Sequence, residues 1–377
     1  MHKIITLVAV ATIILASCKP QTKSTGSMAK FDEAPEWAAS AIWYQIFVER
    51  FRNGNPNNDP TMETNRGALI DEIPASWQIT PWGHNWYVQE SWAKETGLDF
   101  YRTIQMRRYG GDLEGVMQKV NYLQDLGINA VYFNPLNDAP SLHKYDARNY
   151  HHIDVTFGDD RDGDLALMKK EDPSKPESWV WTSADKKFVE LISQFHKAGI
   201  KVVLDFSWNH TGTQFWAFQD IIKNGAASQF AGWYEIKTFD DATTPENEWD
   251  YDGWLGIKSL PELKKIRESE KKFGHAFEGN MPEEVKAHIF AVCKRWMDPN
   301  NDGNPEDGID GMRLDVAEHV PLGFWREMRK YVRSVNESFY LVGENWWTQW
   351  PDELMDAEPW VKGDVFDAVM HYQWYKP

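Results

Sequence analysis

From residue 42 onward, short apolar runs alternate with longer stretches in which apolar positions return every three to four residues. Residues 42–51 read as a strand, residues 113–126 as an amphipathic helix stopped by Gly127, and residues 129–134 as the next strand. After a long polar loop, a helix is predicted over 184–197, ended by Gly199. The apolar run over 200–206 that follows suits a parallel strand covered on both faces. Residues 211–280 break the rhythm with aromatics, charges and glycines, and read as an inserted subdomain. The alternation resumes with a helix over 283–297, a strand over 309–316, a helix over 322–335, a strand over 339–343, a helical stretch near 351–361 and a strand over 365–370. Six strands interleaved with helices predict a parallel barrel or an open doubly wound sheet.

Polar residues at the strand ends separate the two. Asp205, Asn209 and His210 close one strand, Arg313 and Asp315 the next, and Glu344 the one after. In a strand, positions i and i+2 face the same way, so Arg313 and Asp315 point together into whatever that strand lines. An unpaired buried charge is costly, so the pair must neutralise or line a wet pocket. Polar groups gathered at the carboxyl ends of successive parallel strands are the arrangement of an α/β barrel, the (β/α)8 or TIM barrel. Neighbouring strands lie ~4.8 Å apart, which lets Asp315 and Glu344 approach within the ~5 to 5.5 Å that separates nucleophile and acid/base in a retaining glycosidase.

Composition narrows the partners. A net charge of −17 argues against nucleic acid and anionic membrane surfaces. The chain carries twenty tryptophans, whose faces stack on sugar rings or fill cores. The opening MHKIITLVAVATIILASCKP has a basic residue, an apolar stretch and small residues before Cys18, the pattern of an exported chain's signal over 1–18. Leu15, Ala16, Ser17 and Cys18 resemble a bacterial lipoprotein box, which implies a lipid anchor at Cys18 and a periplasmic or cell-surface location, with residues 19–36 as a tether. Cys293 then stands alone, and the fold must hold by packing and by metal.

DFSWNH, GMRLDVAEH and VGEN, in that order, resemble the motifs of the α-amylase family of glycoside hydrolases at the ends of its third, fourth and fifth strands. WYQIFVERFRNGNPNNDP, YGGDLEGVMQKVNYLQDLGINAVYFNP and HKYDARNYHHIDVTFG resemble the neopullulanase and cyclomaltodextrinase branch, although there is no room before the first strand for that branch's extra N-terminal sheet domain. LPEL at 260–263 matches the branch's inserted motif only in part. The resemblance implies an α-glucan oligosaccharide substrate, with Asp315 as nucleophile, Arg313 keeping it ionised and Glu344 as acid and then base. Trp346 and Trp347 would give Glu344 the less polar setting that raises a carboxyl group's pKa. His210, Tyr145 and His319 would contact the sugar, and Asp205 would orient Arg313.

Hard oxygen ligands in NGNPNND, namely Asn53, Asn55, Asn58 and Asp59, suit Ca2+. The family likeness adds Gly110, Gly111 and Asp112. DPNNDGNPEDG offers a second loop through Asp298, Asn300, Asp302 and Asp307, without the glutamate at its twelfth position. The family also has a third carboxylate, an Asp after His, at the end of its seventh strand. Here His371 is followed by Tyr372, one strand too early, so the barrel over 37–377 is expected to be truncated after the sixth strand and inactive when expressed as it stands. A transglycosidase would share every residue named, and a non-catalytic glycan-binding lipoprotein would not need Asp315 and Glu344 together.

Overall fold

The computed structural model describes residues 33–68, 73–241 and 243–372. The signal, Cys18, residues 19–32 of the tether and the last five residues lie outside the described residues. Six strands form one parallel sheet: β1 (Trp43–Ile46), β2 (Ala130–Phe133), β3 (Lys201–Phe206), β4 (Gly311–Leu314), β5 (Tyr340–Gly343) and β6 (Ala368–Val369), neighbours in chain order. The connections carry α1 (Leu113–Met117), α2 (Val120–Asp125), α3 (Ser183–Lys197), α4 (Trp216–Asn224), α5 (Glu283–Met297) and α6 (Leu322–Val335). Sequential parallel strands with helical crossovers are the α/β barrel layout that the apolar pattern predicts.

Each element has a local cause. Thr182 caps α3 by accepting the Asp185 N–H, and the Asp185 side chain reciprocates on the Thr182 N–H, a complete capping box. In β4 every residue is buried, and Met312 and Leu314 join the main core while Arg313 leaves it for the opposite face. Register puts Arg313 directly beside Asp205 of β3, and this pairing places the site.

Four expectations change. The first strand stops at Ile46, because the chain turns into a 3-10 segment, Val48–Arg50, whose buried Glu49 accepts the Gly110 N–H at 3.1 Å. The single helix over 113–126 is two, since the Lys119 N–H bonds back to Val116 and tightens the turn. The strands expected over 309–316 and 365–370 shorten to β4 and β6. Near 351–361 there is no α-helix: Trp347–Gln349 pairs antiparallel with Glu353–Leu354, and Glu358–Trp360 is a 3-10 turn. Pro351 and Pro359 interrupt the helical hydrogen-bond ladder there.

Residues 211–280 lie between β3 and α5, and Phe215, Phe218, Trp233, Tyr234 and Leu263 join the same hydrophobic cluster as the sheet strands. A separate small core, Ala68, Trp77, Trp92, Ala93 and Met106, sits in the segment between β1 and α1. The helical and strand periodicities do not announce it.

Below the sheet, Asp310 joins three elements. It accepts from His196 Nε2 and Lys201 Nζ, both at 2.7 Å, and from the Val202 N–H at 2.9 Å. Against the cost of burial, Asp310 raises the His196 pKa, and His196 and Lys201 lower that of Asp310. The His196 share of stability is therefore present below its ordinary ~6.5 and lost as pH rises through its folded value, while the Asp310 share is lost in acid. Asp310→Asn should cost about 2–4 kcal/mol in chemical denaturation at pH 6, and less as pH rises through the raised folded value of His196.

Candidate active site

Beyond the ends of β3, β4 and β5, one guanidinium collects three carboxylates. Arg313 Nη1 reaches both oxygens of Asp205 at 3.1 Å and Asp315 Oδ1 at 2.7 Å, while Nη2 lies 2.6 Å from Glu344 Oε1. Asp205 is fully buried and also accepts from the hydroxyls of Tyr132 at 2.5 Å and Tyr145 at 2.8 Å. It is thus a positioning residue beneath the cleft. Glu344 takes further donors, Tyr372 Oη at 2.9 Å and the Val316 N–H at 2.9 Å.

The Val316 contact has a conformational cost. Its φ of 47° puts a β-branched residue in the left-handed region, immediately after Asp315, and this turns its N–H onto Glu344.

Three carboxylates facing one cation cannot all ionise freely. Burial and the nearby Glu344 push the Asp315 carboxyl well above the usual carboxylate range, despite Arg313. Burial likewise raises Asp205. Arg313 stays charged against the cost of burial through Asp205, Tyr145, Glu344 and Asp315. The expectation that Arg313 keeps Asp315 ionised is corrected: burial and Glu344 outweigh its effect and raise the Asp315 carboxyl. Nor is the neighbourhood of Glu344 chiefly tryptophan, because Trp347 packs 5.1 Å from Tyr372 and the groups bonded to Glu344 are polar donors.

Tyr145, His210, Asp315 and Glu344 line one cleft of ≈ 440 Å³, together with His143, Trp254 and Trp346. His210 is buried, its ring stacks 5.6 Å from Trp254, and its Nε2 has no protein partner among the described residues. Burial, with Lys265 next, holds it down to about 3, so it meets a ligand as a neutral ring. The LPEL segment fixes it: His210 bridges Glu262 and the Thr211 N–H bonds to Pro261. His319 does not line the cleft. It packs edge-on 6.5 Å from Trp254, beside Glu262 and Glu318, because the 3-10 turn Ala317–His319 carries it away. Trp254 and His143 were missed, the first inside an irregular insertion, the second two residues from Tyr145 in the same HKY run.

The expected metal residues lie elsewhere, between β1 and α1. Asn53 Oδ1 is buried with no hydrogen-bond partner among the described residues, and Asn53 Nδ2 is 2.6 Å from Asp59 Oδ1. Burial, together with Asp112 and Glu49, raises Asp59 to about 6 against its Asn53 hydrogen bond and Arg161. Gly110 has φ 74°, and a Cβ there would collide with Asp59 and Asn53. Asp112 accepts the N–H groups of Gly54, Asn55 and Gly115, Asn55 Oδ1 takes the Asn57 N–H, and Asn58 bonds Val155, Gly158 and Arg161. In the second loop Asp298 is paired with Lys294 at 2.5 Å and accepts the N–H groups of Asp302 and Gly303, and Asn300 and Asp302 close turns of their own. Those oxygens are committed to protein donors.

A family model described as "Alpha amylase, catalytic domain" matches residues 45–172 and 183–377. "Neopullulanase 2" of Thermoactinomyces vulgaris is 34% identical over 90% of this chain, and "Cyclomaltodextrinase" of Geobacillus thermopakistaniensis is 34% identical over 90%. Each alignment covers 43% of the relative, so the chain spans less than half the length of these relatives. Among solved structures, the type III pullulan hydrolase of Thermococcus kodakarensis superposes with a TM-score of 0.63 at 28% identity, over 90% of this chain and 48% of that one.

Arg313→Ala would leave three carboxylates without their cation, at a cost of about 3–5 kcal/mol near neutral pH. Asp315 and Asp205 have raised folded values, so their contribution to stability is present below the ordinary ~3.9 and lost as pH rises through those values. The variant's deficit in melting temperature should therefore shrink toward pH 4, and a deficit independent of pH would contradict the charge assignment.

Proposed function

The chain belongs to the alpha-amylase catalytic-domain family, and on that footing we propose that it is a retaining α-glucan hydrolase, cleaving α-1,4-glucosidic bonds in starch-derived oligosaccharides, pullulan or cyclodextrins. The observation that carries this reading is the single Arg313 side chain joined to both Asp315 and Glu344. Two carboxylates bridged by one guanidinium suit the ~5 to 5.5 Å spacing of double displacement better than the ~6.5 to 9.5 Å that admits a water between them.

In this mechanism the sugar enters between Trp254, Trp346 and Tyr145, and His210 hydrogen-bonds a hydroxyl with its free Nε2. Glu344 gives a proton to the leaving oxygen as the Asp315 carboxylate attacks the anomeric carbon. Glu344, a carboxylate after that transfer, then takes a proton from water as the water attacks the anomeric carbon and expels the Asp315 carboxylate. Inversion at each step leaves the α-configuration. With the purified full-length natural protein, an NMR time course should show α-anomeric product first, and Asp315→Asn and Glu344→Gln should each lower turnover by several orders of magnitude with oligosaccharide binding kept. Initial β-product, or wild-type turnover in either variant, would refute the assignment.

We further propose that Ca2+ binds through Asn53 and Asp59, with Asp112 and the Gly110 turn shaping the loop, and that Cys18 anchors an exported chain. The orphaned Asn53 oxygen and the crowded Asp59 carboxyl fit a hard cation. When bound, calcium supplies positive charge that ties the loop after β1 to the start of α1, with no part in bond cleavage. A ligand specific to the folded state stabilises it by ~2.7 kcal/mol at a hundredfold excess over its Kd. Excess chelator should lower the melting temperature and added calcium restore it, whereas an unchanged melting curve would count against the site.

A further inference from the structure

A second constellation lies in the connection between β2 and α3. His151 and His152, on the strand Asn149–Ile153, turn both Nε2 atoms onto one oxygen, Glu171 Oε1, at 2.8 and 3.0 Å. We propose that His151, His152 and Glu171 bind a structural zinc ion that fastens the loop leading into α3, residues 169–182, to this strand.

The donor set suits zinc. Two imidazoles and a carboxylate are borderline ligands that favour zinc over calcium, in contrast to the all-oxygen loop at Asn53. The three ligand atoms lie within 4.8 Å of one another. Tetrahedral bonds of ~2.0 to 2.1 Å need neighbouring donors ~3.3 Å apart, a few tenths of an ångström beyond the spacing seen here.

The surroundings orient the His152 ring as a metal ligand. His152 Nδ1 is 2.7 Å from Asp185 Oδ2, which fixes a tautomer with Nδ1–H and leaves the Nε2 lone pair for a metal. Asp185 is itself fixed by Arg295 at 3.0 Å and by the N–H groups of Ile153 and Thr182. The other Glu171 oxygen accepts the Val180 N–H at 2.9 Å. His151 stacks at 4.2 Å on Trp179, and the Arg295 guanidinium lies 3.8 Å over Trp181, so the loop's two tryptophans close over the cluster.

The position gives the site a purpose. Residues 173–182 fall outside the matched ranges 45–172 and 183–377, so this loop departs from the family pattern and has its own fastening. Tyr150, next to His151, places its hydroxyl 2.7 Å from the Ser207 carbonyl and against that of His210. Fixing the strand therefore also steadies the floor of the cleft.

The test uses the purified protein, stripped by chelator and shown to remain folded by circular dichroism. Cobalt chloride should then produce the visible absorption of a tetrahedral site, and zinc should displace it at one equivalent and raise the melting temperature. Calcium at the same concentration should leave the band unchanged. Glu171→Gln should abolish the band, and Asp185→Asn should weaken zinc by about 10- to 100-fold. A folded wild-type protein with no cobalt band, displacement by calcium, or unimpaired zinc binding in Glu171→Gln would overturn the proposal. If Glu171→Gln does not fold, the wild-type cobalt spectrum and its competition with calcium decide.

Discussion

Among the described residues, Arg313 is the cation that reaches Asp205, Asp315 and Glu344 together, and the geometry there follows from its single positive charge. The register of β3 with β4 sets it beside Asp205, and its two amino groups then reach Asp315 and Glu344. Burial makes this arrangement expensive, so it persists only because every carboxylate has a further donor or shares the guanidinium. Asp205 is satisfied by two tyrosine hydroxyls, Glu344 by Tyr372 and a strained Val316 N–H. Burial raises the Asp315 and Asp205 carboxyls despite Arg313, and the proposed double displacement needs a proton delivered to the leaving oxygen.

The long connections do the positioning. The irregular segment after β3 returns to lay residues 261–263 against 209–211, which holds a neutral His210 with one free nitrogen facing the cleft. The same segment brings Trp254 to the opening. The segment between β1 and α1 has its own small core and contributes Gly67 to the cleft wall. Site geometry therefore depends on loops packed as tightly as the barrel core.

Much of this is legible from residues alone. The parallel sheet is, because buried strands read as continuous apolar runs and helices carry their own stops, as at Gly127 and Gly199. Arg313, Asp315 and Glu344 are, because charges in or beside apolar runs demand an explanation. The proton balance is not, since it depends on burial and on a third carboxylate from another strand. His319 illustrates a second limit: one residue's turn after β4 swings it from the cleft, which periodicity does not encode. The histidine pair shows a third, since Glu171 lies about twenty residues away and only the folded loop brings it onto both rings.

The central claim is that the carboxylate held by Arg313 on its own strand, Asp315, forms the bond to the sugar. A 5-fluoro-α-glucosyl fluoride, which forms a glycosyl-enzyme faster than water releases it, tests this by direct observation on the full-length natural protein. After incubation and proteolysis, mass spectrometry should place the added hexose on Asp315 alone, with the label chased off by an acceptor sugar. A label on Glu344 or Asp205, or inactivation with no covalent adduct, would contradict the account.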